Sequence, residues 1–108
     1  MSIAPFVMNE FEGTTCLMLT DSQFMVRTPV FEGHGALGNG YDWAAVAEVV
    51  AGDVLAAGQA DELDYDPEAG MMCVYGPPAV LNTLAVAMAA IFHDTAALDG
   101  VCARAELD

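Results

Sequence analysis

The sequence has no lysine. Arg27 and Arg104 are its only strongly basic side chains, set against 16 acids, and the formal net charge is -14 over 108 residues. A field of that sign repels nucleic acid, nucleotide phosphates and anionic membranes, and it attracts cations or basic partners. Solubility alone would also account for it. Cysteine is scarce too. Cys16, Cys73 and Cys102 are odd in number, far apart and flanked by apolar residues, which predicts buried free thiols in a reducing compartment. The absence of C-x-x-C and H-x-x-x-H spacing leaves a zinc site without support. No basic segment followed by an apolar run marks a secretory signal. The longest apolar run, Leu84 to Phe92, is about half of what a bilayer span requires. These absences predict a cytoplasmic protein that engages neither membrane nor nucleic acid and holds no metal or cofactor.

What is present is a hydrophobic chain. Apolar residues make up 56% and charged residues 17%, enough for one core in a single domain over residues 1–108. "PFVMNEFEG" and "TTCLMLT" are two β-leaning runs around Glu12-Gly13, a hairpin signal. Leu17 and Leu19 share one face of the second run, and Cys16, Met18 and Thr20 share the other. Both faces are apolar, as in a central strand. "FMVRTPVF" reads as a further strand, placed at an edge or in irregular chain because Pro29 cannot donate to a ladder.

"DWAAVAEVVAGDVLAAG" reads as a helix, with Trp43, Val46, Ala47, Val50 and Val54 at helical spacing. Asp42 is the expected N-cap, Tyr41 and Val46 have the spacing of a hydrophobic staple, and Gly58 suits the C-terminal cap. In "ELDYDPEAGMMCVY", Leu63 and Tyr65 alternate with Asp64 and Asp66, and "PEAG" turns the chain into a run where Met72 and Val74 alternate with Met71, Cys73 and Tyr75. This predicts a second hairpin. "GPPAVLNTLAVAMAAIFHD" is a helix opened by prolines, with Leu81, Leu84, Ala85, Met88 and Ile91 in one stripe. "TAALDGVCARAEL" is a short last helix with Leu98, Val101, Cys102 and Ala105 inward. The expected fold is α+β: an antiparallel sheet of about four strands in two hairpins, with two to three helices packed on one face.

"EGHGALGNGYDW" holds four glycines in eight residues, Gly33 to Gly40, and spells G-x-G-x-x-G. A dinucleotide loop would have the third glycine open a helix within a βαβ unit. Here the helix begins later, a hairpin follows it, and Asp42 occupies the helix terminus where a phosphate would sit. The loop is expected to be structural, with positive φ at several glycines, and to place Tyr41 and Trp43 either on a partner or in the core.

"DYDPEAG" sets Asp64, Asp66 and Glu68 at alternate positions. A calcium loop is one reading, but the central glycine and terminal bidentate Glu of an EF-hand are missing. Solvent-facing acids on a strand explain the pattern equally well. His93 near a helix C-terminus is accounted for by the helix dipole. A Cys–His nucleophilic pair with His34 or His93 is left open by the spacing, but an acidic surround raises thiol pKa values. No coherent catalytic constellation emerges.

Three segments taken together carry a resemblance. "GNGYDW" (Gly38 to Trp43), "DPEAGMMCVY" (Asp66 to Tyr75) and "RAELD" (Arg104 to Asp108) make the chain similar to the immunity protein 51 family of bacterial polymorphic toxin systems, from about Gly38 onward. Gly38, Gly40, Asp42, Trp43, Pro67 and Gly70 are its structural positions. The resemblance implies a small α+β protein that binds and neutralises a cognate toxin domain without catalysis. Joined to the charge, it predicts a toxin with a basic surface, met by Asp64, Asp66, Glu68, Glu32 and Tyr41. The alternative is a small acidic metal- or ligand-binding regulatory domain.

Overall fold

A computed structural model describes residues 3–107. β1 (Val7–Phe11) and β2 (Thr14–Thr20) form the first hairpin. Glu12 and Gly13 between them both take positive φ, 53° and 80°, the backbone of a turn whose twist matches its strands. Three short helices, α1 (Asp21–Phe24), α2 (Thr28–Glu32) and α4 (Ala57–Ala60), flank the long α3 (Gly40–Val54). The second hairpin is β3 (Asp64–Tyr65) and β4 (Met71–Tyr75), and α5 (Pro78–Phe92) and α6 (Thr95–Arg104) follow.

The sheet runs in the order β1-β2-β4-β3, antiparallel throughout. β2 is interior, as two apolar faces require. Alternation then divides the side chains. Leu17 and Leu19 of β2, with Met72 and Val74 of β4, point to the helices and are at most 1% exposed. α3 packs on β4 and α5 on β2, while α6 contacts both long helices. An aromatic cluster fills the far side of this core: Trp43 lies 5.0 Å from Phe31, 5.7 Å from Phe92 and 6.2 Å from Phe6, centroid to centroid. Trp43 is fully buried, so the indole is core and not a partner contact. Its N–H lacks a hydrogen-bond partner, a cost that the ring's packing offsets. The predicted stripes hold on α5 and α6, where Leu81, Leu84, Ala85, Met88, Leu98, Val101 and Cys102 are buried, with Ile91 and Ala105 partly so. On α3 Trp43, Val46, Ala47 and Val50 are buried, but Val54, the last helical residue, is exposed.

Four local expectations are corrected. "FMVRTPVF" is not a strand but the end of α1, a linker and α2. Both sides of β2 are already paired, and Pro29 falls in the first turn of α2, where its missing N–H costs nothing. Phe24 and Phe31 turn into the core, and Arg27 between them donates from Nε to the Phe92 carbonyl and lies 5.0 Å over the Phe92 ring. Asp42 is not the N-cap. The helix starts earlier, Asn39 caps it, and Asp42 is the third helical residue. That shift puts Tyr41 at the second helical position, so it forms no staple with Val46. Nor does Gly58 end the helix, which stops at Val54; Gly58 lies inside α4. The helix total is six among the described residues, with the three long ones forming the layer that was expected.

Candidate functional site

The glycine loop and the second hairpin form one joint. The Asn39 side chain accepts from the Asp42 amide at 3.0 Å, and the buried Asp42 carboxylate accepts from the Gly38 amide at 2.7 Å and the Asn39 amide at 3.3 Å. This is a reciprocal capping box, in which side chains satisfy the helix's unpaired N–H groups. The amides of Gly38, Asn39 and Asp42 are thereby taken, and the buried Asp42 carboxylate fills the place a phosphate would need. Gly38 has φ 75°, and a Cβ there would press on the Phe31 ring. The Gly40 amide donates to Ala69 O at 3.0 Å, and the Asp21 amide donates to Gly70 O at 3.0 Å. The turn of "DPEAG" is thus held from both sides by the first residues of α1 and α3.

Hydrogen bonding continues beyond β3. The Asp66 amide donates to Cys73 O at 2.9 Å, and Glu68 and Met71 exchange bonds of 2.8 and 3.1 Å. Asp64 faces Tyr75 in the register, Asp66 sits beside Cys73, and Glu68 bridges Met71. All three acids therefore rise on the side of the sheet opposite the helices, as a rail along its β3 edge. The middle of that open face is Cys16, Met18, Met71, Cys73 and Tyr75, which line a shallow recess of about 410 Å³ with Phe11 and neighbours of the first hairpin. Along the β1 edge, Phe11 is 71% exposed and Val7 55%. Cys73 is nonetheless buried by its neighbours, and burial pushes its thiol above the ordinary range, with smaller effects from Tyr75, Cys16 and Asp66.

A second concavity, about 600 Å³, lies on the helix side of β3. Tyr41, Glu48, Tyr65, Pro67, Arg104 and Glu106 are among its walls, so the three segments of the family resemblance meet there. Burial pushes Tyr65 up to about 12, with a further push from Glu48. Arg104 makes a bidentate pair with Asp53 and leaves Glu48 and Glu106 unopposed. Tyr41 is thus brought to the opposite side of β3 from Asp64 and Asp66. Glu32 ends α2, exposed, and joins neither group. Sequence reasoning missed the open apolar face and the Glu48–Tyr65–Glu106 wall. The first was implicit in the alternation that sets Asp64, Asp66 and Glu68 on one side with Met71, Cys73 and Tyr75.

The remaining polar groups are used locally. His34 Nε2 lies 2.8 Å from Asp99, and His93 Nε2 lies 2.8 Å from the Ala4 carbonyl. Cys102 is buried, and that burial, with Asp99 and Asp42 nearby, pushes its thiol to about 11. Such a thiol stays protonated near neutrality and is a poor nucleophile. The three cysteines are free. Among the described residues no group of three or more His, Cys, Asp or Glu side chains could hold a metal ion, and no single helix is long and apolar enough to cross a membrane.

Fold and surfaces together define a small α+β domain that presents two acid-lined surfaces. The chain belongs to the immunity protein 51 family, whose model matches residues 6–107. The match takes in the first hairpin as well, ahead of the three segments that carry the resemblance. No curated protein and no solved structure matches the chain.

Proposed function

We propose that this chain binds a cognate bacterial toxin domain stoichiometrically and neutralises it without catalysis, protecting the cell that makes both. Membership of an immunity protein family supports a toxin as the partner. The observation that carries the chemistry is the fate of the cations. Arg104 is paired with Asp53, and Arg27, held against the neutral carbonyl and ring of Phe92, pairs with no carboxylate among the described residues. Of the 16 acids, nearly all therefore face solvent without a cationic partner, and the surface field is theirs. Such a field steers a basic surface toward it and can replace the phosphates in a groove built for nucleic acid. Asp64, Asp66 and Glu68 are the leading contacts, because the doubly held turn presents them with little ordering cost. Tyr41 and Glu32 are outlying ones. The three free thiols fit the reducing cytoplasm.

Co-expression tests the reading. The chain should rescue cells from the toxin domain encoded beside it and should co-elute with that domain on size exclusion. Absence of both rescue and complex would overturn the proposal.

A further inference from the structure

We propose that the open face of the sheet is the surface on which the toxin domain docks; this rests on the immunity reading above. Soluble domains seldom leave an apolar sheet face uncovered without a partner for it. In this chain the helices cover only the side of Leu17, Leu19, Met72 and Val74. The uncovered side keeps Val7 and Phe11 more than half exposed, with Met18, Met71 and Tyr75 partly so. It has the composition of an interface: an apolar centre containing methionine and aromatic rings, with charge confined to the margin. The margin is the acid rail of Asp64, Asp66 and Glu68, and the pairing registers place neither arginine on this face.

Those features select the occupant. A second copy of the chain would set two acid rails and two net charges of -14 against each other. A toxin domain with an apolar centre and basic side chains along one margin matches both parts of the face. The apolar centre would supply the slow dissociation, and the rail would supply orientation and fast association. The open face also gives a use to Phe11, whose exposure the fold does not require.

The test is the affinity of the purified chain for that toxin domain, together with co-expression rescue. Val7→Thr with Phe11→Ser alters exposed positions and keeps strand-compatible residues, so the fold survives. This double variant should bind on the order of 10- to 100-fold more weakly, mainly through faster dissociation. Met25→Ser with Leu37→Ser alters equally exposed apolar residues off the sheet and should leave affinity unchanged. Rescue with full affinity in the Val7/Phe11 variant would overturn the docking face and leave the immunity function standing. Loss of affinity in the Met25/Leu37 variant alone would move the interface to the α1–α2 side and also overturn it. Concentration-dependent dimers of the wild-type chain, abolished by Phe11→Ser, would assign the face to a second copy instead. Failure of the wild-type chain to rescue or bind would remove the function and this face with it.

Discussion

Gly40 lies against the carbonyl of Glu68 so closely that a Cβ at Gly40 would overlap that oxygen and the carbonyl of Met71. The first residue of α3 is thereby seated on the turn that carries the acid rail. Gly40→Ala forces the helix off the hairpin and should cost about 3 kcal/mol or more. Gly52, in the same helix, has open space where its Cβ would go, and Gly52→Ala should stabilise by about 0.5–1 kcal/mol. Thermal or urea melts of the pair check both signs.

The capping box predicts a graded series. Asn39→Ala removes one acceptor at a helix start and should cost about 1 kcal/mol. Asp42→Ala strands two amides in a buried place and should cost more, about 2–3 kcal/mol. Trp43→Ala empties the centre of the aromatic cluster and should cost about 3–5 kcal/mol. Equilibrium unfolding orders the three. An Asp42→Ala variant as mild as Asn39→Ala would show that the Asp42 carboxylate adds nothing beyond an ordinary cap.

Alkaline pH should destabilise the fold in two windows. Burial raises Tyr65 from 10.0 to about 12 and Cys102 from 9.0 to about 11. The folded chain keeps a proton that the unfolded chain gives up. Each group's contribution is therefore fully present below its unfolded value and is lost as pH climbs through its folded one. Stability should fall between pH 9 and 11 on account of Cys102, and between 10 and 12 on account of Tyr65. Cys102→Ala and Tyr65→Phe should each flatten their own window in pH-dependent melts.

Association with a basic partner should respond to salt. Raising ionic strength from about 50 to about 500 mM should slow it by an order of magnitude or more, with less effect on dissociation. Asp64→Asn, Asp66→Asn and Glu68→Gln together should reproduce that slowing without unfolding the chain. Stopped-flow kinetics separates the two rates, and salt-insensitive association would reduce the acids to a role in solubility.

Calcium offers a check on the rival regulatory reading. Asp64, Asp66 and Glu68 stand along a strand edge rather than around a loop. Millimolar calcium or EDTA should shift the melting temperature by no more than about 1 °C. A large saturable shift would revive the metal reading, because a ligand that binds only the folded state stabilises it by mass action.

Both hairpins and the three long helices were legible because each is written in a local period. Alternation marks β2, β3 and β4, and the Leu81-to-Met88 stripe marks α5. The segment "FMVRTPVF" misled because a short apolar run with Val and Phe has the composition of a strand, and its fate depended on β2 having no free edge. The three-residue error at the start of α3 has a physical source. Asn39 and Asp42 are both good caps, and only the backbone bonds at Gly38 and Gly40 decide between them. The acids were legible as solvent-facing. The apolar face they border was implicit in the same alternation and in helices packed on one side only; its extension to Val7 and Phe11 was not, because that depends on the register of β1 on β2.

The turn at Ala69-Gly70 accepts one amide from α1 and one from α3. Its opening therefore cannot be a private fluctuation: freeing the Ala69 carbonyl releases the first residue of α3, beside its capping box and Trp43, and freeing the Gly70 carbonyl releases the first residue of α1. Amide hydrogens of Asp21, Gly40 and Met71 should exchange with solvent in one cooperative event, at a free energy near that of global unfolding and well above that of an ordinary hairpin tip.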